Sequence, residues 1–243
     1  MSARRLLLDI GNSRLKWAWQ AGGDLGERGA IAHAGDPAAA LPGCPLLPPH
    51  EVWIAHVTGA EHEARLAAVV RARYGCDPHF ARSRDRWRGL RNGYKDPARL
   101  GVDRWLVMLA AWSEQRTATC IVDAGTALTV DAFDGDGRHL GGIIAAGLST
   151  QQRALLDQTR FATRARGAAY HAGLGSDTES CVSQGAMLAC LGAIDRAVAA
   201  VDAPARQLIT GGDAGVLLPH LSGDWEHRPD LVLEGLRVLA EDR

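Results

Sequence analysis

Two short Asp-x-Gly turns constrain the possible fold more than any other feature of the chain. Asp9-x-Gly11 and Asp123-x-Gly125 each follow a short apolar run, and each is followed by a second segment with the apolar pattern of a strand. The turns are separated by nearly half of the 243 residues. This spacing indicates an internal duplication, and it predicts an α/β protein of two lobes, residues 1–115 and 116–243.

Several segments outside the two predicted strand–turn–strand units have apolar residues at helical spacing. Gly101 to Trp112 carries one apolar stripe, and Leu148 to Thr159 also has a helical pattern. Small and apolar residues recur about every four positions from Asp177 to Val201, which predicts a long helix. A last helix is predicted over Pro229 to Ala240, within the second lobe.

Composition excludes several classes of protein. Lysine and arginine number 27 against 28 aspartate and glutamate, a net charge of −1, so charge gives no reason to expect a nucleic-acid or membrane partner. Five cysteines without a Cys-x-x-Cys pair favour neither a disulfide framework nor a zinc site. The apolar run that ends at Leu8 is too short for a signal peptide or a membrane span. A soluble, cytoplasmic protein is expected.

The two turns have the chemistry of a polyphosphate site. Backbone N–H groups and hydroxyls in a glycine-containing turn suit phosphate oxygens, and Asp9 could hold a hydrated Mg²⁺ beside them. The alternative is a plain hairpin in which Asp9 bonds to its own turn. Neither Gly-x-x-x-x-Gly-Lys-Ser/Thr nor a Gly-x-Gly-x-x-Gly after a strand is present, which argues against P-loop and dehydrogenase classes.

A third candidate cluster begins the predicted helix at Gly101. Asp103 could accept the proton of a substrate hydroxyl while Arg104 neutralises an anionic group. Asp103 could equally be an ordinary acidic residue that complements the helix dipole. Thr178 has a similar alternative, because Ser176 and Glu179 have the spacing of a capping box.

The segment from Arg82 to Arg104 is strongly basic. It carries seven arginines and one lysine against three aspartates. A solvated surface, an RNA-binding patch and a region that attracts anionic small molecules are all consistent with this charge run. Few aromatic residues accompany it, which argues against RNA.

Four sequence blocks together resemble the type III pantothenate kinases, in that family's order and over most of the chain. The most specific block is Gly-Tyr-x-x-Pro-x-x-Leu-Gly-x-Asp-Arg-Trp, and the others contain the two turns and a late Thr-Gly-Gly. The blocks are Asp9–Lys16, Gly93–Trp105, Asp123–Asp131 and Thr210–Ala214. The resemblance implies two ribonuclease-H-like lobes with a nucleotide cleft between them, as in the acetate/sugar kinase and actin superfamily. It also implies ATP-dependent phosphorylation of pantothenate, the first step toward coenzyme A.

The resemblance also implies a role for each matching residue. Asp103 would be the general base, and Asp123 would bind an activating K⁺ or NH₄⁺, while Mg²⁺ would enter with ATP. The implied ATP-binding residues are Asp9, Ile10, Gly11, Asn12, Ser13, Arg14, Leu15, Lys16 and Thr126. The implied pantothenate-binding residues are Tyr94, Gly101, Val102, Asp103, Arg104 and Thr178.

The resemblance implies a homodimer, for which the helix from Asp177 to Val201 is a candidate interface, although packing within one subunit explains its pattern too. Two stretches depart from the family: Ala146 replaces a usual proline before Gly147, and Thr159 to Ala172 is rich in arginine and alanine instead of proline. Two alternative functions are a different small-molecule kinase of the superfamily and a non-catalytic transcriptional regulator on the same fold.

Overall fold

A computed structural model of the chain describes residues 4–159, 169–201 and 204–242. It separates into two units, each built on one five-stranded sheet. The first unit comprises Met1–Gln115 together with Asp230–Arg243, and the second comprises Arg116–Pro229.

The first sheet is centred on the leucine-rich strand that precedes the first turn. Its strands are β1 (Arg5–Ile10), β2 (Arg14–Ala21), β3 (Asp24–Ala32), β4 (Glu51–His56) and β5 (Pro78–Phe80), in the order β3-β2-β1-β4-β5. β1 to β3 form an antiparallel meander, and β4 and β5 run parallel to β1. Leu6, Leu7 and Leu8 are fully buried, so both faces of β1 are covered. A two-stranded hairpin, β6 (Arg86–Trp87) and β7 (Leu90–Arg91), completes the strands of this unit.

The second sheet repeats the order and the strand directions of the first. Its strands are β8 (Thr119–Ala124), β9 (Ala127–Phe133), β10 (His139–Ala146), β11 (Arg206–Thr210) and β12 (Trp225–His227), in the order β10-β9-β8-β11-β12. β8 to β10 are antiparallel, and β11 and β12 run parallel to β8. The predicted α/β fold of two mixed-sheet lobes is confirmed, and β1 and β8 occupy equivalent central positions.

Seven helices flank the sheets in the described part of the chain. They are α1 (Pro37–Ala40), α2 (Ala60–Tyr74), α3 (Val102–Glu114), α4 (Leu148–Gln158), α5 (Thr178–Ala199), α6 (Ala214–Leu217) and α7 (Leu231–Glu241), with 3₁₀ turns at Leu41–Gly43, Pro97–Arg99 and Leu218–His220. Within residues 4–159, 169–201 and 204–242, none of the helices combines the length and hydrophobicity that a bilayer crossing requires.

Each sheet has an apolar core on one face. In the first unit, alternate β1 residues such as Leu6 and Leu8 pack with Leu66 and Val70 of α2. In the second unit, Val122 of β8 belongs to a cluster with residues of α5, Met187 among them. Burying these side chains supplies the main driving force for each unit, at roughly 25 cal/mol per Å² of apolar surface removed from water.

The last helix corrects the predicted domain division. Residues 230–243 were expected in the second lobe, and that assignment is wrong because α7 packs in the first unit. A Cβ on Gly235 of α7 would lie 2.0 Å from the carbonyl oxygen of Leu106 in α3, so the two helix backbones are in close contact. Gln20 of β2 also donates a 2.6 Å hydrogen bond to Glu241.

Candidate active site

The first Asp-x-Gly turn joins β1 to β2 as a tight hairpin. Gly11 N–H donates to the carbonyl oxygen of Arg14 at 3.0 Å, and Asn12 and Ser13 are exposed at the tip. The flanking Ile10 and Leu15 are fully buried, so their side chains anchor the turn in the core. The turn therefore presents backbone groups and a hydroxyl at a fixed position on the end of the sheet.

A pair of opposite charges lies beside this turn. Asp9 and Lys16 are directly opposite each other in the antiparallel register of β1 and β2, which places their side chains on the same face of the sheet. Both residues are partly exposed. A carboxylate and an ammonium group next to exposed backbone donors can serve a metal ion and the phosphates bound to it.

Asp103 is the exception on an otherwise buried stretch of helix. From Val102 to Trp112 every residue of α3 is buried except Asp103. The carboxylate Oδ1 accepts the N–H of Arg104 at 2.8 Å, which satisfies one of the donors at the helix start. A Cβ on Gly101 would lie 2.6 Å from that oxygen, so the glycine leaves room for the carboxylate. The structure thus gives Asp103 the helix-start role and also keeps it accessible.

Arg104 and Tyr94 are brought together at the same point. The Arg104 guanidinium donates a 2.6 Å hydrogen bond to the Tyr94 hydroxyl and lies 5.5 Å from the centre of its ring. Arg104 is 4% exposed. A buried guanidinium is costly to desolvate and favours an anionic or hydrogen-bonding partner. This arrangement fixes a cation one residue away from the Asp103 carboxylate.

Asn92 is a residue of this site that the sequence does not reveal. Its side-chain oxygen accepts the N–H of Tyr94 at 3.0 Å, and its amide nitrogen donates to the carbonyl oxygens of Arg84 and Pro97 at 3.2 and 3.1 Å. Asn92 therefore shapes the loop that carries Tyr94. The only local signal is an Asn-Gly pair, which predicts a turn but not its partners.

The second turn, between β8 and β9, is held by the segment that begins α4. The carbonyl oxygen of Thr126 accepts from Gly147 N–H at 3.1 Å and from the Thr150 hydroxyl at 2.7 Å. A Cβ on Gly147 would lie 2.0 Å from the Gly125 carbonyl oxygen, so only glycine fits there. Ala146, in place of the family's proline, ends β10 as a regular partner of Ala127. The substitution therefore leaves these contacts in place.

Gly211 approaches the same turn from the end of β11. It has a φ of +96°, and a Cβ would lie 2.4 Å from the backbone of Ala124 and 2.5 Å from Oδ1 of Asp123. Asp213 N–H donates to the carbonyl oxygen of Ala124 at 2.8 Å. The Asp123 carboxylate therefore lies among closely packed backbone, beside carbonyl oxygens, which is the donor chemistry that hard cations prefer.

Thr178 is the first residue of α5, and the capping box predicted beside it, Ser176 with Glu179, is wrong. The N-cap is Asp177, whose carboxylate accepts the N–H of Ser180 at 2.7 Å, while the Ser180 hydroxyl accepts the N–H of Asp177. The hydrogen bonds from Ser180 hold the pKa of Asp177 below its ordinary value. The predicted pair of Ser176 and Glu179 fails because the helix starts one residue later. Thr178 is exposed and its hydroxyl is not needed for the cap.

Cys190 lies close to the second turn but has no reactive thiol. Burial, with a further contribution from the charge of Asp213, raises its pKa to about 11. The side-chain amide of Gln151 donates to the sulfur at 3.2 Å. The Cys190 thiol is therefore protonated at neutral pH and is not a nucleophile beside this turn.

Carboxylates balance much of the basic segment. Three of its arginines form surface ion pairs, which are Arg82–Glu63, Arg86–Asp85 and Arg88–Asp242. Arg104, at the end of the segment, is committed to Tyr94. These pairings favour a solvated surface over a nucleic-acid-binding patch. The arginine- and alanine-rich stretch noted above lies largely outside the described residues, at positions 160–168.

Comparisons with known proteins agree on one family. The model of the type III pantothenate kinase family matches residues 5–200. A type III pantothenate kinase of Thiobacillus denitrificans is 40% identical over 99% of this chain and 98% of its own length. Another from Halorhodospira halophila is 40% identical over 96% of both chains.

Solved structures show the same fold at much lower identity. A Campylobacter jejuni protein proposed to be a Baf-family transcriptional activator superposes with a TM-score of 0.62 at 19% identity, over 98% of both chains. The activator of 2-hydroxyisocaproyl-CoA dehydratase from Clostridium difficile, with bound ADPNP, gives 0.56 at 10% identity, over 98% of this chain and 94% of its own.

Proposed function

The chain belongs to the type III pantothenate kinase family, and from this we propose that it transfers the γ-phosphoryl group of ATP to the primary hydroxyl of pantothenate. The products are 4′-phosphopantothenate and ADP, in the first step of coenzyme A biosynthesis. The enzyme is an ATP-dependent kinase that works with a divalent metal. The observation that carries the proposal is the Asp103 carboxylate, accessible on a buried helix start beside the Arg104–Tyr94 pair.

Asp103 and Arg104 act on different groups of pantothenate. Asp103 accepts the hydroxyl proton as the hydroxyl oxygen bonds to the γ-phosphorus and the bond from that phosphorus to the β-phosphate oxygen breaks. Arg104 binds the carboxylate of pantothenate, because its guanidinium is held in place by Tyr94 and is largely removed from water. Gly101 keeps the space above the Asp103 carboxylate clear.

The first turn and Thr126 are the proposed contacts of ATP. Exposed Asn12 and Ser13 offer donors to phosphate oxygens, and Lys16 adds a positive charge on the same side as Asp9. Asp9 is the carboxylate best placed to hold Mg²⁺, which neutralises phosphate charge when it is bound with ATP.

Asp123 is the proposed ligand of a monovalent cation, K⁺ or NH₄⁺. Its carboxylate lies beside the backbone of Ala124 and Gly211, so carboxylate and carbonyl oxygens are available together. Such a cation would add positive charge near the phosphates of ATP. Among the described residues, no group of three His, Cys, Asp or Glu side chains could hold a metal ion by itself.

Purified protein is expected to release ADP from ATP and Mg²⁺ only when pantothenate is present. The rate is expected to fall when Na⁺ replaces K⁺, and Asp123→Ala is expected to remove that difference. ADP release can be followed by a coupled assay, with phosphopantothenate identified by mass spectrometry. ADP release without pantothenate would contradict the proposed acceptor, and an unchanged response to K⁺ in Asp123→Ala would contradict the cation assignment.

A homodimer built on α5 and the edge strand β10 is proposed. Gly185, Leu188 and Gly192 are exposed along one side of α5, and Ile143 and Ile144 are exposed on β10. Large apolar side chains on an edge strand are usually covered in the native assembly. Both elements belong to the second unit, so one continuous unit supplies the proposed interface.

Leu188→Asp is expected to convert the dimer to a monomer, because a carboxylate buried in an apolar interface would be desolvated. Light scattering after size-exclusion chromatography measures the mass. Leu46→Asp is the matched control, since Leu46 is 79% exposed in the first unit, outside the proposed face. A monomeric unmodified protein, or a dimeric Leu188→Asp variant, would refute this interface.

The proposed partners are ATP, pantothenate and a second copy of the chain. The cytoplasm is the proposed location, because ATP is supplied there and all five cysteines are free thiols. The regulatory alternative is not favoured, because the relatives at 40% identity are kinases and this chain retains Asp9, Asp103, Asp123 and Thr126. The block from Tyr94 to Trp105 likewise separates it from other kinases of the superfamily.

A further inference from the structure

His33, which immediately follows β3, contacts the first turn at two points. The His33 ring nitrogen Nε2 lies 2.8 Å from the carbonyl oxygen of Gly11. Its backbone N–H donates to the carbonyl oxygen of Ser13 at 3.2 Å. His33 is 6% exposed. One buried residue therefore binds a carbonyl on each side of the exposed tip.

The second ring nitrogen determines which atom carries the proton. Gly35 N–H donates to Nδ1 of His33 at 3.2 Å, so Nδ1 is an acceptor. A neutral imidazole with an acceptor at Nδ1 carries its proton on Nε2. The ring therefore donates to Gly11, and the contact is a directed hydrogen bond.

The backbone just after His33 forms a turn with positive φ angles, and this turn holds the His33 ring in position. Ala34 has a φ of +44° and Gly35 a φ of +91°. Positive φ is disfavoured for a residue with a Cβ. Asp36 N–H closes this turn by donating to the carbonyl oxygen of His33 at 2.7 Å. The turn brings Gly35 N–H back to the ring that contacts the first Asp-x-Gly turn.

We propose that His33 is a positioning residue for the phosphates of ATP. In a trans peptide, the carbonyl of one residue and the N–H of the next point in opposite directions. Fixing the Gly11 carbonyl against the His33 ring therefore directs Asn12 N–H away from His33, at the exposed tip. His33 thus turns a carbonyl oxygen away from the anion and sets the direction of a donor toward it. The inference rests on the proposed function, which makes this turn a phosphate site.

Two substitutions separate the two ring contacts. In His33→Gln the side-chain amide nitrogen can replace Nε2 as the donor to the Gly11 carbonyl oxygen. The asparagine side chain of His33→Asn is shorter, so its carbonyl oxygen can replace only the acceptor Nδ1. We expect His33→Asn to raise the KM for ATP about two- to tenfold, the range for one lost hydrogen bond. The KM for pantothenate should stay unchanged, and His33→Gln should restore a KM for ATP close to that of the unmodified protein.

His50→Asn is the matched control. His50 also bonds to backbone through Nδ1, accepting the N–H of Arg4 at 2.8 Å, but at the other end of β1. The KM of the His50→Asn variant for ATP should not change. An unchanged KM for ATP in His33→Asn, or equal rises for both substrates, would overturn the positioning role.

Nitrogen-15 NMR of the histidine rings tests the same inference on the unmodified protein, whether or not the variants fold. We expect His33 as the Nε2–H tautomer, with ring signals that shift when a non-hydrolysable ATP analogue is added, while those of His50 stay. A proton on Nδ1, or signals unmoved by bound nucleotide, would overturn the inference. Failure of pantothenate phosphorylation in the unmodified enzyme would instead refute the proposed function, since nucleotide binding is measured without pantothenate.

Discussion

Replacing Asp103 with Asn is expected to lower kcat by about 10²–10⁴-fold, the usual contribution of a general base. The amide cannot accept the hydroxyl proton, but its oxygen can still accept the N–H of Arg104 that Asp103 Oδ1 binds at 2.8 Å. The helix start should therefore survive the substitution. ATP affinity, measured by calorimetry, should remain within about twofold because the proposed phosphate contacts lie on other elements.

Asp96→Asn supplies the comparison for that variant. Asp96 lies in the loop before α3 and caps the 3₁₀ turn by accepting the N–H of Ala98 at 3.2 Å. Asparagine caps about as well as aspartate, so this isosteric change should leave both stability and kcat unaltered. If Asp103→Asn retained full turnover, Asp103 would have only its helix-start role and another base would be required.

Gly235→Ala is expected to reduce the free energy of unfolding by about 3 kcal/mol, at the upper end of the usual cost of overpacking. The added methyl carbon would lie 2.0 Å from the carbonyl oxygen of Leu106, and this neighbour is helix backbone that cannot rotate away. The sign is the opposite of the usual effect, because alanine in an exposed helix is about 1 kcal/mol more favourable than glycine. Urea denaturation followed by circular dichroism measures the change.

Gly215→Ala tests whether the loss comes from packing. Gly215 lies in α6, and a methyl group there would meet nothing within 4 Å. We expect that variant to be as stable as the unmodified protein or slightly more so. Equal stability of Gly235→Ala and the unmodified protein would mean that α7 is free to move away from α3.

The central features of the fold could be predicted because they are local in sequence. The Asp-x-Gly turns follow short apolar runs, and those runs became the central strands β1 and β8 of two sheets with the same order. The stripe from Gly101 to Trp112 predicted α3 within two residues of its end. Periodicity of this kind depends on burial alone, so it is visible without knowledge of the partners.

Other features depend on partners distant in sequence. β3 has no fully buried residue, so the segment Asp24–Ala32 lacks the alternation that predicts a strand. His33 and Asn92 act through carbonyls and amides on other segments, and nothing in their own sequence neighbourhood specifies those contacts. The start of α5 was misplaced by one residue because Ser176 and Asp177 are both good N-cap residues.

The return of α7 to the first unit affects the order in which the protein can be completed on the ribosome. The first unit is built from segments on both sides of the second in the sequence, whereas residues 116–229 are one uninterrupted segment. Domains generally fold as units, and during synthesis the earlier segment usually folds first. The second unit can therefore finish folding before α7 has been synthesised and can pack against α3. The proposed general base therefore lies on a helix whose final packing forms only after the whole second unit has been synthesised.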